Sequence, residues 1–254
     1  MDGIGTLECC CKLTARMTPK SLVSALAVLL LVAMPLSCGG SSKNEEGEQA
    51  EQQEETAEKG EGAVPESVAA IEGDAEDAID TVFAGNWDKV ATDAASIASN
   101  WSEFTASSQA AGLSAAQRQA MDIAISDLKD AAESEDELAA RQAANDVSKV
   151  IVDVFDLFDV KVPTDVGRLD WLERQVIIHA DRDDWSTVKA DLAQTRDTFN
   201  RVKGDIAVAG GDNEVEDYRA SLDRQDQLAA SEDSSIVDEA NVALELVDDL
   251  ERVY

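Results

Sequence analysis

The chain has 254 residues and a formal net charge of −32, and aromatic residues make up only 4% of it. This length allows one or two domains, and plentiful alanine with few aromatic side chains favours close-packed helices over a β-sandwich. A surface this acidic repels phosphate backbones, which argues against nucleic acid as a partner. It favours cations, basic partners or simple solubility, and an adaptation to high salt would produce the same composition.

The N-terminal part has the pattern of an export signal. A lysine at position 20 precedes an apolar run at residues 22–34, which is shorter than the ~20 residues needed to span a bilayer, and small residues then surround Cys38. At the junction of Ser37 and Cys38, this tract resembles the signal of bacterial lipoproteins. The resemblance covers residues 17–42.

This resemblance implies that Cys38 is lipidated and becomes the mature N-terminus, which would anchor the protein to a membrane of the cell envelope, facing the periplasm or the exterior. An ordinary cleaved signal and an uncleaved anchor are the alternatives. Met17 is a better start for a signal than Met1, so we interpret residues 1–37 as a doubtful N-terminal extension plus the signal peptide.

Residues 38–63 are predicted to form a disordered acidic stalk, because positions 39–62 hold eight glutamates, two lysines and no apolar residue larger than alanine. All four cysteines lie at or before Cys38, so neither a disulfide nor a cysteine-based metal site can cross-link the chain that follows.

The remaining chain contains one apolar skeleton twice, at an offset of 98 residues that falls to 97 in the third helix of each copy and to 96 in the fourth. Trp185 follows Trp87 at this offset, and Pro163 follows Pro65. We interpret the match as an internal duplication. It predicts an all-α fold of two tandem four-helix bundles, with helical repeat 1 at residues 64–161 and helical repeat 2 at residues 162–254.

The second helix of each repeat carries the clearest periodicity. Apolar residues that begin at Trp87 and at Trp185 alternate spacings of three and four, which indicates a narrow packing seam along a helix. Capping boxes are expected at Ser114, before the third helix, and at Ser134, before the fourth. In the third helix of repeat 2, polar Gln225 stands where repeat 1 has a leucine.

Two residues are candidates for a ligand site or an interface. Trp87, Trp101 and Trp185 fall on the seams and are expected in the core, whereas Trp171 has Gly73 as its repeat partner. Trp171 therefore marks either the contact between the bundles or a ligand or partner surface found in one copy only. His179 is the sole histidine, and a satisfied or half-exposed side chain is the simpler interpretation of it.

No cofactor or metal site is predicted. The Cys-x-x-Cys-His motif for covalent haem and the Glu-x-x-His pairs of a di-iron bundle are both missing from the sequence. The acidic segments 181–184 and 212–217 lack the ligand order of an EF-hand, so solvated helix ends are the default interpretation.

Catalysis is not expected either, since the sequence has no Ser-His-Asp set, nucleotide-binding loop or zinc spacing. The whole resembles the small helical lipoproteins of bacterial envelopes, a type of protein from which no functional residues can be transferred. The sequence therefore predicts a lipid-anchored, non-enzymatic binding or scaffold protein whose partners are the membrane and an envelope protein or a cation. The alternatives are a binder of a small ligand or cation and a haem or metal bundle protein.

Overall fold

The computed structural model describes residues 63–254, so the predicted signal peptide, the lipidation site Cys38 and nearly all of the predicted stalk lie outside the described residues. Over residues 63–254 the chain forms eight α-helices and a short 3₁₀ helix, and none of these is long and apolar enough to cross a membrane. The helices are α1 (Glu66–Phe83), α2 (Trp87–Ala106), α3 (Ala115–Ser134), α4 (Glu137–Phe155), α5 (Thr164–Ala180), α6 (Trp185–Ala209), α7 (Asp212–Ser231) and α8 (Ile236–Glu251), with the 3₁₀ helix at Ser108–Gly112.

The helices pack as two four-helix bundles, which confirms the predicted fold class. In the first bundle α1 packs on α2 and α4, and α3 packs on the same two helices; α5 to α8 repeat this arrangement. The two bundles meet along α4 and α5, which are neighbours in sequence. These two helices are therefore buried on more than one face, whereas the outer helices bury a single stripe.

The helix starts repeat between the bundles. Pro65 and Pro163 immediately precede α1 and α5. Asn86 caps α2 and Asp184 caps α6 through the same geometry, in which the side chain accepts a hydrogen bond from the backbone N–H three residues later. The predicted capping box at Ser114 is present, with both of its hydrogen bonds.

The prediction of a capping box at Ser134 was wrong. Ser134 is the last residue of α3, and Glu135 then ends that helix in the left-handed conformation, with φ of 54°. Asp136 caps α4 instead, accepting from the backbone N–H of Ala139 at 3.1 Å. Glu232 ends α7 with φ of 53°, so the left-handed stop is also duplicated.

The seam tryptophans are not equally buried. Trp101 is buried, as expected, and its indole nitrogen donates to Asp122 Oδ1 at 3.1 Å. Trp87 and Trp185 are only half-buried, because each is the first residue of its helix and covers the end of the core.

The two cores differ in continuity. The buried apolar side chains of the first bundle form one connected cluster that runs its full length. Those of the second bundle form two separate clusters, one near each end. Buried polar residues lie between them, among them Glu173 and Gln225.

Candidate functional site: the groove between the bundles

A groove runs along the junction of the two bundles, where α1 and α8 flank the pair formed by α4 and α5. We call it the inter-bundle groove. A cavity of about 470 Å³ opens at one end, with Glu72 of α1, Val152 of α4, Gly167 of α5 and Glu251 of α8 among its lining residues. A smaller cavity of about 110 Å³ at the other end takes its walls from the same four helices, at Phe83, Arg141, Ile178 and Leu244.

Carboxylates from three helices face one another in the groove, and two of them, Glu72 and Glu251, line the larger cavity. We call them the groove carboxylates: Glu72, Glu76, Asp170, Asp248 and Glu251. Arg174 lies among them, pairing with Asp170 on its own helix and reaching Glu76 of α1 at 3.4 Å. Arg252, at the end of α8, is 3.6 Å from Asp248. Acidic groups thus outnumber basic ones in the middle of the groove.

Burial, together with this excess of negative charge, raises the pKa of two of the carboxyls. Burial, reinforced by Glu76, Glu251 and Asp170, raises the pKa of Glu72 to about 7. Burial also raises the pKa of Asp170 to about 7, although Arg174 opposes the shift. A cation placed among these groups would stabilise their charged forms.

The apolar lining gives the groove a second property. Valine, proline and phenylalanine side chains line the larger cavity, including Val160, Pro163 and Phe155. At the opposite end Phe83 is 59% exposed, and the guanidinium of Arg141 lies 4.4 Å from the centre of its ring. The groove therefore combines acidic groups with apolar surface, the combination that a segment with basic and apolar side chains would complement.

Trp171 lies in the contact between the bundles, next to the groove rather than in it. Its backbone carbonyl accepts a hydrogen bond of 3.1 Å from Asn145 Nδ2 of α4. The ammonium of Lys149, also on α4, lies 5.1 Å from the centre of the Trp171 ring. Of the two interpretations of Trp171, this position favours the contact between the bundles.

His179 joins two helices inside the second bundle. Its Nδ1 lies 2.6 Å from Asp191 Oδ2 of α6, and both side chains are mostly buried. The acidic turn that follows is engaged as well, because Asp181 pairs with Arg141 at 2.7 Å and Asp184 caps α6. Within residues 63–254, no group of three or more His, Cys, Asp or Glu side chains is arranged to hold a metal ion.

Sequence reasoning missed the groove carboxylates, although a signal for them was present. Glu72 and Asp170 are equivalent in the two repeats, as are Glu76 and Arg174, each at the offset of 98 residues. Charged residues four apart on the first helix of both copies, beside the predicted core, were the available indication of a shared polar face. The chain has no match among known protein families, curated proteins or solved structures.

Proposed function

We propose that this protein is a non-enzymatic binding module of a cell envelope, held at the membrane by a lipid on Cys38, and that it binds a basic partner protein in the inter-bundle groove. The groove carboxylates are the observation that carries this proposal. They come from α1, α5 and α8, which belong to different bundles, so a ligand seated on them would contact both bundles at once.

Charge complementarity indicates what kind of partner would fit. A segment with lysine or arginine beside apolar residues would neutralise the groove carboxylates and cover the apolar lining at either end. The chain's own positions 39–62 are unsuited to the groove, since eight glutamates against two lysines would repel it. A second copy is disfavoured for the same reason, given the net charge of −32. That charge also supports a protein that does not bind nucleic acid.

A cation is the second candidate ligand, because the groove carboxylates outnumber the arginines that pair with them and a cation would favour their charged forms. A dissolved cation and a basic protein would act on the same groups. The two candidates differ in the surface they would cover, since only a protein would also cover the apolar cavities. They can therefore be separated by an experiment that detects a bound protein.

The anchor is tested by mass spectrometry of the N-terminus of the native protein. A diacylglyceryl group on Cys38 is expected, and the Cys38→Ala variant should be released from the membrane fraction. An unmodified soluble protein that begins at another residue would contradict the anchor.

The groove is tested with a photo-crosslinking amino acid at position 76 in cells, and with the same probe at exposed Asp130 of α3 as the matched control. We expect position 76 to capture a protein with a basic contact segment, and the charge-reversed pair Asp248→Lys and Glu251→Lys to abolish capture. The pair Asp127→Lys and Asp130→Lys changes the net charge equally on an outer face and should leave capture intact.

Equal loss with both charge-reversed pairs would contradict a specific groove and would indicate an effect of net charge alone. If the ligand is a cation, the position-76 probe should capture no protein. Ca²⁺ should then raise the melting temperature of the wild type more than Mg²⁺ does, and the Asp248→Lys and Glu251→Lys pair should remove this difference.

A further inference from the structure

A layer of polar side chains crosses the core of the second bundle and divides it into two. We call it the Glu173 layer. Its members share complete burial, each with 0% of its surface exposed: Glu173, Thr195, Tyr218, Ser221 and Gln225. Polar groups in such a place lower stability unless they are hydrogen-bonded, so the layer calls for an explanation.

The hydrogen bonding within the layer is incomplete. Tyr218 Oη donates to Glu173 Oε1 at 2.6 Å and links α5 to α7, which lie diagonally across the bundle and each pack on α6 and α8. The Gln225 amide faces the same carboxyl and, like the Tyr218 hydroxyl, lowers the pKa of Glu173 against the larger effect of burial. Among the described residues, however, Glu173 Oε2 and both polar atoms of Gln225 have no hydrogen-bond partner.

The first bundle shows that the fold does not require this layer. At the positions equivalent by the repeat offsets, all members are apolar and buried: Ala75, Ile97, Met121, Ala124 and Leu128. The same four-helix arrangement therefore closes with a continuous apolar core in one copy. The polar groups are a property of the second copy alone.

The charges that act on Glu173 are negative. Asp170 lies on the same helix, one turn away, and Glu239 lies on α8. Glu239 accepts a hydrogen bond from Ser221 Oγ at 2.6 Å and pairs with Arg224 at 2.8 Å. From α7 the facing titratable group is Tyr218, and α6 contributes the hydroxyl of Thr195.

We propose that the Glu173 layer is a proton-binding site that controls how α7 packs against α5. A proton on Glu173 removes a buried charge, and the neutral acid keeps the hydrogen bond from Tyr218 to Oε1. Loss of the proton to solvent leaves a buried carboxylate beside Asp170 and Glu239, which only the Tyr218 hydroxyl and the Gln225 amide counteract. This arrangement favours opening of the bundle.

The direction of the pH response follows from the environment of the carboxyl. Burial, the largest effect, raises the pKa of Glu173 from an ordinary 4.5 to about 7. Between these two values the folded chain holds the proton while the unfolded chain does not. The second bundle should therefore lose stability as the pH rises through this window, and the loss is complete above about pH 7.

Hydrogen exchange on the full-length protein tests this inference, since the first bundle serves as an internal reference. After correction for the intrinsic exchange rate, protection of α5 and α7 should fall by about tenfold or more between about pH 6 and about pH 8.5. Protection of α2 and α3 should change much less. The Glu173→Gln variant keeps the shape of a protonated carboxyl and should hold α7 protected at both pH values. Helix α7 is the deciding readout, because α5 also carries Asp170, whose pKa is raised to about 7 as well.

Two controls separate this layer from other effects. Glu72→Gln removes a groove carboxyl with an equally raised pKa and should leave the α5 and α7 response unchanged. Replacing sodium by potassium or choline at constant pH should also leave protection unchanged, and a response to one cation alone would overturn the proton-binding site in favour of a cation site.

A wild-type protection that is independent of pH, or a Glu173→Gln variant whose α7 still responds to pH, would overturn the inference. None of these outcomes depends on the inter-bundle groove binding a partner.

Discussion

The two bundles share one arrangement of helices but differ in the chemistry of their cores. They share helix order, the capping geometry of Asn86 and Asp184 and the left-handed stops at Glu135 and Glu232. The first core is continuous and apolar, whereas a polar layer around Glu173 divides the second. One arrangement of helices therefore accommodates two different core chemistries.

The comparison also assigns different contributions to the two copies. A continuous apolar core gains stability from burial without the cost of desolvating polar groups. The first bundle is therefore expected to be the more stable unit, and the second the one that opens first. Because α4 and α5 pack together, opening of the second bundle would also change one wall of the inter-bundle groove.

The largest effect is expected when the polar group of the second core is placed in the first. Ala75 is the counterpart of Glu173 and is fully buried. Ala75→Glu would bury a carboxyl among apolar side chains without Tyr218 or Gln225 to meet it, and should cost more than about 4 kcal/mol of unfolding free energy. Urea denaturation measures the loss, and lowering the pH should reduce it, because the protonated acid is cheaper to bury.

Ala69→Glu is the matched control, since Ala69 is exposed on the same helix. It introduces the same side chain and charge in contact with solvent, where substitutions usually change stability by less than about 0.5 kcal/mol. A tolerated Ala75→Glu variant would show that the first bundle can accept a polar layer as readily as the second does, and would remove the contrast between the two cores.

The seam aromatics should produce the next largest effect. Trp101 and Phe199 are equivalent residues, exposed by 5% and 2% respectively. Replacing either with alanine should cost about 3–5 kcal/mol, the usual range for a large aromatic residue in a core. Half-buried Trp185 should cost only about 1–2 kcal/mol, because less of its surface leaves water on folding. Chemical denaturation ranks the three variants, and an equal loss at Trp185 would contradict its partial burial.

The residues that repeat explain how much could be predicted from the sequence. Periodic apolar spacing and the paired Trp87 and Trp185 were enough for the helix order and the two bundles, because helix packing follows local periodicity. The cap at Ser114 was also predictable, being a local pattern. The absence of a capping box at Ser134 was not predictable, because the residue that ends α3 in the left-handed conformation is Glu135 and not the glycine that usually signals such an end.

The sites depended on information that is not local. The sequence shows Gln225 as a polar residue in place of a leucine. Its role could not be inferred without knowing that it lies close to Glu173, which is on another helix. The groove carboxylates needed knowledge of which helix faces meet between the bundles, and the spacing within one helix does not specify this. Trp171 was identifiable because it broke the repeat. Comparing the two copies position by position was therefore more informative about sites than the search for known motifs.

The smallest effect concerns one residue that the two repeats share but use differently. Asn145 is fully buried, and its Nδ2 donates to the Trp171 carbonyl across the contact between α4 and α5. Its counterpart Asn241 is exposed and donates to the Val237 carbonyl of its own helix at 2.7 Å. Asn145→Ala should cost about 0.5–1.5 kcal/mol, because it removes one hydrogen bond across the contact between the bundles, whereas Asn241→Ala should stay within about 0.5 kcal/mol. Hydrogen exchange should show lower protection in α4 and α5 together, since the bond joins the two bundles rather than supporting either core.

Equal costs for the two variants, or lower protection in α4 alone, would mean that apolar contact alone holds the bundles together. The hydrogen bond to the Trp171 carbonyl would then contribute nothing to the contact between them.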